Sequence, residues 1–278
     1  MISVLILTFN EDQNLPACLD SVKWSDDIVV FDSFSSDRTV EIARAAGARV
    51  LQRRFDDYGS QREAARTQSN FKHEWVLAVD ADERVDSELA AEVLSIAKSH
   101  VSRFVAYRIA RKDYFMDSWI KRSTLYPSWF VRFFQHQRIR YEPRKVHEYP
   151  TIDGLVGELR GHLLHYSFNK GLADWRQKHA RYAEAEAAEN LKDLRSRRQD
   201  LAGLLCIADP VRRRRALKQL SMRLPFRPTL RFMYMYLLRM GFLDGKPGLA
   251  YCRLMAEYER MIVTKMNELK RSEKSVRD

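Results

Sequence analysis

Cysteine is scarce and poorly placed for pairing. Cys18, Cys206 and Cys252 are widely spaced, odd in number and form no C-x-x-C. That spacing excludes a disulfide framework and offers no zinc site, and it fits a reducing cytosol. Long hydrophobic runs are also missing. No segment reaches the roughly 20 apolar residues needed to span a bilayer. The most apolar stretch, Phe232 to Leu243, contains Arg239 and follows Arg231. Met1 to Leu7 is too short for a secretory h-region and has no basic flank, so it is expected to be a first strand. Neither G-x-G-x-x-G nor G-x-x-x-x-G-K-[ST] occurs, so any nucleotide must be held without a dinucleotide fingerprint or a P-loop. Internal repeats and low-complexity linkers are absent as well.

What remains is a chain of 278 residues with an ordinary apolar fraction of 45% and an unusual net charge of +11. The length buries a full core. The charge implies an anionic partner: nucleic acid, anionic lipid or a phosphorylated substrate. The first half alternates strand and helix. Ile2 to Thr8, Asp27 to Phe31, Ala48 to Gln52 and the Trp75 run read as strands. Leu15 to Val22, Thr39 to Ala46 and Ser60 to Ser69 read as helices between them, with Asn14 or Pro16 opening the first and Asp37 capping the second. Short links between such elements predict a Rossmann-like, mostly parallel sheet with flanking helices, whose strand ends carry the site on one edge.

Trp75 to Val79 is apolar and β-favouring, then breaks into Asp80-Ala81-Asp82-Glu83. Two carboxylates at the mouth of a buried strand suit a hard cation, Mg²⁺ or Mn²⁺. The alternative is a polar turn, with Ser87 starting the next helix.

Thr8-Phe9-Asn10-Glu11, then Asp32-Ser33-Phe34-Ser35-Ser36-Asp37-Arg38-Thr39, then Val79-Asp80-Ala81-Asp82-Glu83 resemble the nucleotide-sugar half of glycosyltransferase family 2, the inverting GT-A fold. Tyr126 to Trp129, Arg132-Phe133-Phe134 and Lys145-Val146-His147-Glu148 are similar to the subgroup containing lipopolysaccharide-core β-glucosyltransferases. The resemblance implies that Thr8, Phe9, Asn10 and Glu11 flank the nucleobase, with Asp32 and Ser35 lining the base and ribose pocket. Arg62 would approach the diphosphate, its alternative being a solvated helix face. Asp80 and Ala81 would face the ribose, with Asp82 as the direct metal ligand. Family members often carry an acidic residue where Ser128 stands, so this chain departs there.

Val105 to Lys112 alternates and reads as a strand with one polar face. Tyr114, Phe115, Trp119, Tyr126 and Trp129 crowd the following stretch and read mainly as packing. Trp119 and Trp129, with Arg132, are the acceptor-binding group, since an exposed indole supports the apolar face of a sugar. An inverting transfer needs a general base for the acceptor hydroxyl. Glu148 is expected in that role, with His147 as runner-up or acceptor-positioning residue. His162 and His165 lie three apart on a strand and should point to opposite faces. The resemblance makes His165 a further metal ligand beside Asp82 and Asp80, against a core hydrogen-bonding role.

From Gly171 onward the strand signal stops. Leu172, Trp175, His179, Tyr182, Ala183, Ala187 and Leu191 recur at helical steps. Pro225 and Pro228 are expected to break the helix before a segment over Leu230 to Phe242, and Gly245 and Pro247 to break it again before a final helix over Leu249 to Leu269. Basic residues beside Phe226, Phe232, Met233, Tyr234, Met235 and Tyr236 suit an anionic membrane surface; the alternatives are a helix bundle or, least supported, nucleic acid.

The expected organisation is a catalytic domain over 1–169, with a nucleotide-sugar half (1–100) and an acceptor half (101–169), followed by a basic helical extension over 170–278. The expected activity is metal-dependent inverting transfer of a hexose from a UDP-sugar to a lipopolysaccharide-core or other lipid-linked glycan. It would occur in the cytoplasm, peripherally at the inner face of the membrane, without nucleic acid and with self-association through the tail as a further option. A sugar nucleotidyltransferase would want a Gly-rich loop where Thr8 to Glu11 stands. A noncatalytic membrane- or nucleic-acid-binding protein is the alternative from another class.

Overall fold

The computed structural model describes residues 1–99, 102–142, 150–196 and 220–275, with isolated positions between 200 and 217. The chain forms two compact units, Met1–Trp119 with Leu125–Asn169, and Ile120–Thr124 with Lys170–Asp278.

The first unit opens as β1 (Ser3–Thr8), α1 (Leu15–Ser21), β2 (Asp27–Asp32), α2 (Thr39–Ala45), β3 (Arg49–Gln52), α3 (Tyr58–Gln68) and β4 (Trp75–Asp80). It continues as β5 (Glu83–Val85), α4 (Ser87–Lys98), β6 (Phe104–Phe115), β7 (Ser118–Trp119), β8 (Ser128–Gln135), β9 (Ile139–Arg140), β10 (Thr151–Ile152) and β11 (Leu155–His165). Nine strands join one sheet in the order β3-β2-β1-β4-β8-β6-β11-β5, with β7 on β6, while β9 and β10 pair separately. β1 runs parallel to β2 and β4, and β2 to β3, as the alternating pattern predicts. β8 is antiparallel to both β4 and β6.

The parallel strands read as unbroken apolar runs because both faces of the sheet are covered. Val4 and Ile6 join Leu77 and Val79 in one core layer, with Leu15, Cys18 and Leu19 of α1. Leu5, Val76 and Ala78 point the other way, onto Ala64 and Ala65 of α3. The period of two thus sorts one strand between two cores. α3 begins two residues earlier than its periodicity implies, because the Asp57 side chain accepts the Ser60 N–H and caps it.

β6 departs from the expected single polar face. Ala106 is buried in one layer, and Tyr107 and Ile109 in the other. The strand is interior, between β8 and β11, so both of its faces are covered, and the register shift opposite Tyr107 and Arg108 leaves Arg132 of β8 as the extra residue.

In the second unit, α5 (Gly171–Ser196) buries Trp175, Ala183, Ala187 and Leu191 along the expected stripe, while Leu172 stays exposed. Ala183, Ala187 and Leu191 pack with Ile262 and Met266 of the last helix. The expected breaks shift. α6 spans Arg227–Met233 with Pro228 in its first turn, then passes into a π turn over Tyr234–Leu238 and a 3₁₀ turn over Gly241–Asp244. α7 spans Gly245–Ser275 and contains Pro247. Proline opens these helices instead of ending them, because an N–H in the first turn has no intrahelical partner to lose.

Candidate active site

The Asp80-Ala81-Asp82 turn sits where β4 ends and β5 reverses. Period two along β4 puts Asp80 on the same side as Val76 and Ala78, facing α3. The register that sets Phe134 opposite Val76 and Phe133 opposite Leu77 brings Arg132 to that side as well. Arg132 donates to both Asp80 oxygens, with Nη1 to Oδ1 at 3.2 Å, and Arg62 Nη2 donates to Oδ1 at 3.1 Å. Arg62 is 8% exposed and Arg132 5%. A buried guanidinium persists only when paired, and a two-pronged carboxylate contact is its strongest pairing. Desolvation works against charge on Asp80, but Arg132 and Arg62 overcome it and hold its carboxyl far below the usual range.

Glu83 lies fully buried beneath this pair. Its Oε2 accepts the Asp80 N–H at 3.0 Å, and its Oε1 is 3.6 Å from Arg132. Burial raises the Glu83 carboxyl against the pull of Arg132, with Asp80 reinforcing the rise.

Asp82 belongs to a second array. β11 pairs His165 with Glu83 on one side and with Asp113 of β6 on the other. The Tyr166 N–H donates to the Asp82 carbonyl at 2.8 Å, fixing the turn to the end of β11. His165 Nε2 then lies 3.3 Å from Asp82 Oδ2, and Nδ1 lies 2.6 Å from Asp113 Oδ1. Burial opposes protonation of His165, yet Asp82 and Asp113 push it up to about 9. His162 faces elsewhere, as its spacing predicts. Its Nε2 meets the Tyr126 hydroxyl at 3.0 Å, and Asp86 lies 3.5 Å from Nδ1.

An imidazole oriented through one nitrogen by a carboxylate, with a second carboxylate at its other nitrogen, fits one side of a divalent-cation shell. Asp82 and His165 would be the donors, and Asp113 the orienting group. Among the described residues no three such side chains form a complete metal cage, so the remaining ligands would have to come from substrate and water.

The β1 and β2 loops form the adjacent rim. Asp32 is completely buried. It accepts the Thr8 hydroxyl at 2.9 Å, the Ser35 N–H at 2.9 Å, the Ser35 hydroxyl and the Gln52 amide. Its carboxylate therefore organises the loops from within. Asn10, at φ 54°, donates its N–H to Ser35 Oγ at 2.8 Å and accepts the Ser36 N–H. Asp37 accepts the Thr39 N–H in the turn before α2, but the N-cap position is Arg38, one residue later than expected and without a side-chain cap. Phe9 is left 53% exposed, and Phe34 52%. Glu11 donates its N–H to Thr39 Oγ1 and accepts the Asn14 amide.

Of the expected acceptor group, Trp129 is half-exposed and Trp119 half-buried, with Lys112 Nζ 5.0 Å from the Trp119 ring. Arg132 instead joins Asp80. His147 and Glu148 lie outside the described residues, as does Cys206. Sequence reasoning missed Glu83, Asp113 and the pairing of Arg132. Asp113 carries no local signal in Arg-Lys-Asp-Tyr, because its role depends on register with a strand 52 residues away.

The family model for glycosyl transferase family 2 matches residues 3–155, more than half of the chain. LpsC of Rhizobium meliloti (strain 1021), a lipopolysaccharide core biosynthesis glycosyltransferase, is 30% identical over 172 residues, covering 59% of this chain and 63% of LpsC. The uncharacterized glycosyltransferase RT0209 of Rickettsia typhi is 38% identical over 110 residues, covering 39% of this chain and 37% of that protein. The chain thus spans less than two thirds of the length of either relative. Among solved structures, Staphylococcus aureus TarS 1-349 aligns with 98% of this chain and 91% of its own, at a TM-score of 0.43 and 16% identity. Glucosyl-3-phosphoglycerate synthase from Mycobacterium tuberculosis, solved with Mg²⁺ and UDP, aligns with 42% of this chain and 44% of its own, at 0.33 and 21%. With the motifs at the strand ends and the match running from the first strand to the start of the last in the sheet unit, the chain belongs to glycosyltransferase family 2.

Proposed function

We propose that this chain is a metal-dependent inverting glycosyltransferase. It moves a hexose from a UDP-sugar to a lipopolysaccharide-core or other lipid-linked glycan at the cytoplasmic face of the membrane. The observation that carries the reading is the Asp113, His165 and Asp82 array beside the Asp80 clamp, at the carboxyl end of β4. Family membership supports the reaction class, and the name of LpsC supports the acceptor class.

Asp82 and His165 would hold Mg²⁺ or Mn²⁺, with Asp113 fixing the His165 tautomer. When bound, the cation offsets charge on the departing diphosphate. Asp80 is immobilised by Arg62 and Arg132, which occupy both lone pairs of Oδ1 and one of Oδ2, so Oδ2 keeps one lone pair for a ribose hydroxyl. Thr8, Phe9, Asn10, Glu11 and Ser35, with the loops organised by Asp32, form the base-side rim. The acceptor oxygen attacks the anomeric carbon opposite the diphosphate. A new glycosidic bond forms, the bond to the diphosphate oxygen breaks, and the acceptor proton passes to a base. The resemblance assigns that base to Glu148, with His147 beside it. Trp129 offers a ring for the apolar face of the acceptor sugar.

The test is thermal-shift and calorimetric titration with UDP, GDP, CDP and ADP, each with and without Mn²⁺. A ligand bound only by the native state raises the melting temperature by mass action. UDP should stabilise the wild type with Mn²⁺ and fail to do so for Asp82→Asn. Absence of stabilisation by any nucleotide under any metal condition would overturn the reading.

A further inference from the structure

Between Phe226 and Leu243 the helical unit leaves an unusual amount of apolar surface open. Phe226 and Leu238 are 78% and 77% exposed, and Leu230, Met233, Leu237 and Leu243 are 45% to 60% exposed. Leu230, Met233 and Leu237 recur at steps of three and four, the spacing of one helical face, and Phe226 stands before the helix in a left-handed backbone conformation. The other side is anchored. Arg227 ion-pairs with Glu259 of α7 and donates to Met266 Sδ at 3.3 Å, while Met235 is buried. The outward stripe is therefore held in place and left without cover among the described residues of its unit.

The charge around the stripe selects its occupant. Ser221 to Leu243 contains four arginines and no Asp or Glu. The next acid, Asp244, accepts the N–H groups of Arg122 and Ser123 and is engaged inside the unit. A second copy docked through this face would bring both arginine sets together. A spanning role is unsupported, since no described helix is long and apolar enough to cross a membrane. The π and 3₁₀ turns also break the segment into short pieces.

We propose that Phe226 to Leu243 is an interfacial foot that lies on an anionic bilayer. Its exposed Phe, Leu and Met side chains enter the boundary between headgroups and acyl chains, and Arg223, Arg231 and Arg239 add attraction to lipid phosphates. The inference stands on the helical unit alone, and its readout is lipid binding, so it fails or holds separately from the transferase reading.

The test floats the full chain with vesicles of phosphatidylcholine, alone or mixed with phosphatidylglycerol. Wild type should bind the mixed vesicles and release as salt rises. The double variant Phe226→Glu/Leu238→Glu should weaken that binding by about 100-fold, because two large apolar side chains lose their burial. Far-UV circular dichroism of that variant should match wild type, since both positions are solvent-facing. Arg239→Gln should weaken binding about fivefold on the mixed vesicles and leave phosphatidylcholine unaffected. Wild type that ignores anionic vesicles would overturn the proposal. So would a folded double variant that floats like wild type. A wild-type dimer that the double variant disperses, with no lipid binding by either, would assign the face to self-association and overturn it too.

Discussion

In the sheet unit, Arg62 and Arg132 are buried and both end on Asp80, which places a carboxylate at the carboxyl end of β4. In the helical unit, Arg223, Arg231 and Arg239 stand among exposed Phe, Leu and Met side chains, while Arg227 turns inward to Glu259. One residue type thus does two different jobs within a net charge of +11. Buried and paired, a guanidinium costs desolvation and returns geometry. At a surface its worth depends on ionic strength and on a diffuse anionic partner. The total charge predicts the second use and says nothing of the first.

The sharpest break in this comparison falls at the turn that the buried arginines support. Asp82→Asn should cut transfer by about 10³-fold while the protein stays folded, read by donor turnover beside a thermal melt. Arg132→Met leaves Asp80 with Arg62 alone and Glu83 Oε1 without its cation, and should cost about 3 kcal/mol in urea unfolding. Equal stability of this variant and wild type would show that the clamp is dispensable to the fold. Asp113→Asn should weaken Mn²⁺ affinity by about 10–100-fold, as loss of a group that orients a ligand does. Calorimetric titration of the metal alone measures it.

Acid titration separates buried from exposed pairing more gently. Burial opposes the charge of Asp27, but Ser3, Lys72 and Arg49 overcome it and hold the carboxyl below 3.8. Its stabilisation is complete above 3.8, the value in the unfolded chain, and is lost as pH falls through the lower native value. Asp27→Asn should therefore flatten the acid limb of the stability profile and lower the plateau above it, leaving only the slope of the alkaline limb unchanged. The smallest effect is expected at the surface. Arg239→Met should change unfolding free energy by less than about 0.5 kcal/mol, in contrast to the same substitution at Arg132.

Much of the candidate site's placement was legible because it is local. Asp80 and Asp82 end an apolar run, and strand ends in an α/β sheet gather on one edge. His165 was reached through family resemblance and its opposition to His162 through strand period. Glu83 and Asp113 were not legible. A buried Glu after a D-x-D reads as one more turn carboxylate, and Asp113 gains meaning only when β6 and β11 align. Arg132 had the right element and the wrong neighbour. Its sequence context suggested acceptor contact, while antiparallel pairing of β8 with β4 turned it onto Asp80.

By itself the sequence determined the quantities that depend on spacing along the chain: strand and helix periods, the carboxylate turn, the family motifs and the excess of positive charge. Tertiary structure decided what depends on distance across it. Register chose the partners of Arg132, His165 and Asp113, and packing chose which face of the Phe226 to Leu243 segment stays exposed. The reason is that charge and hydrogen-bond energies fall steeply with separation and rise with burial, and neither quantity is a property of a residue before the chain has folded.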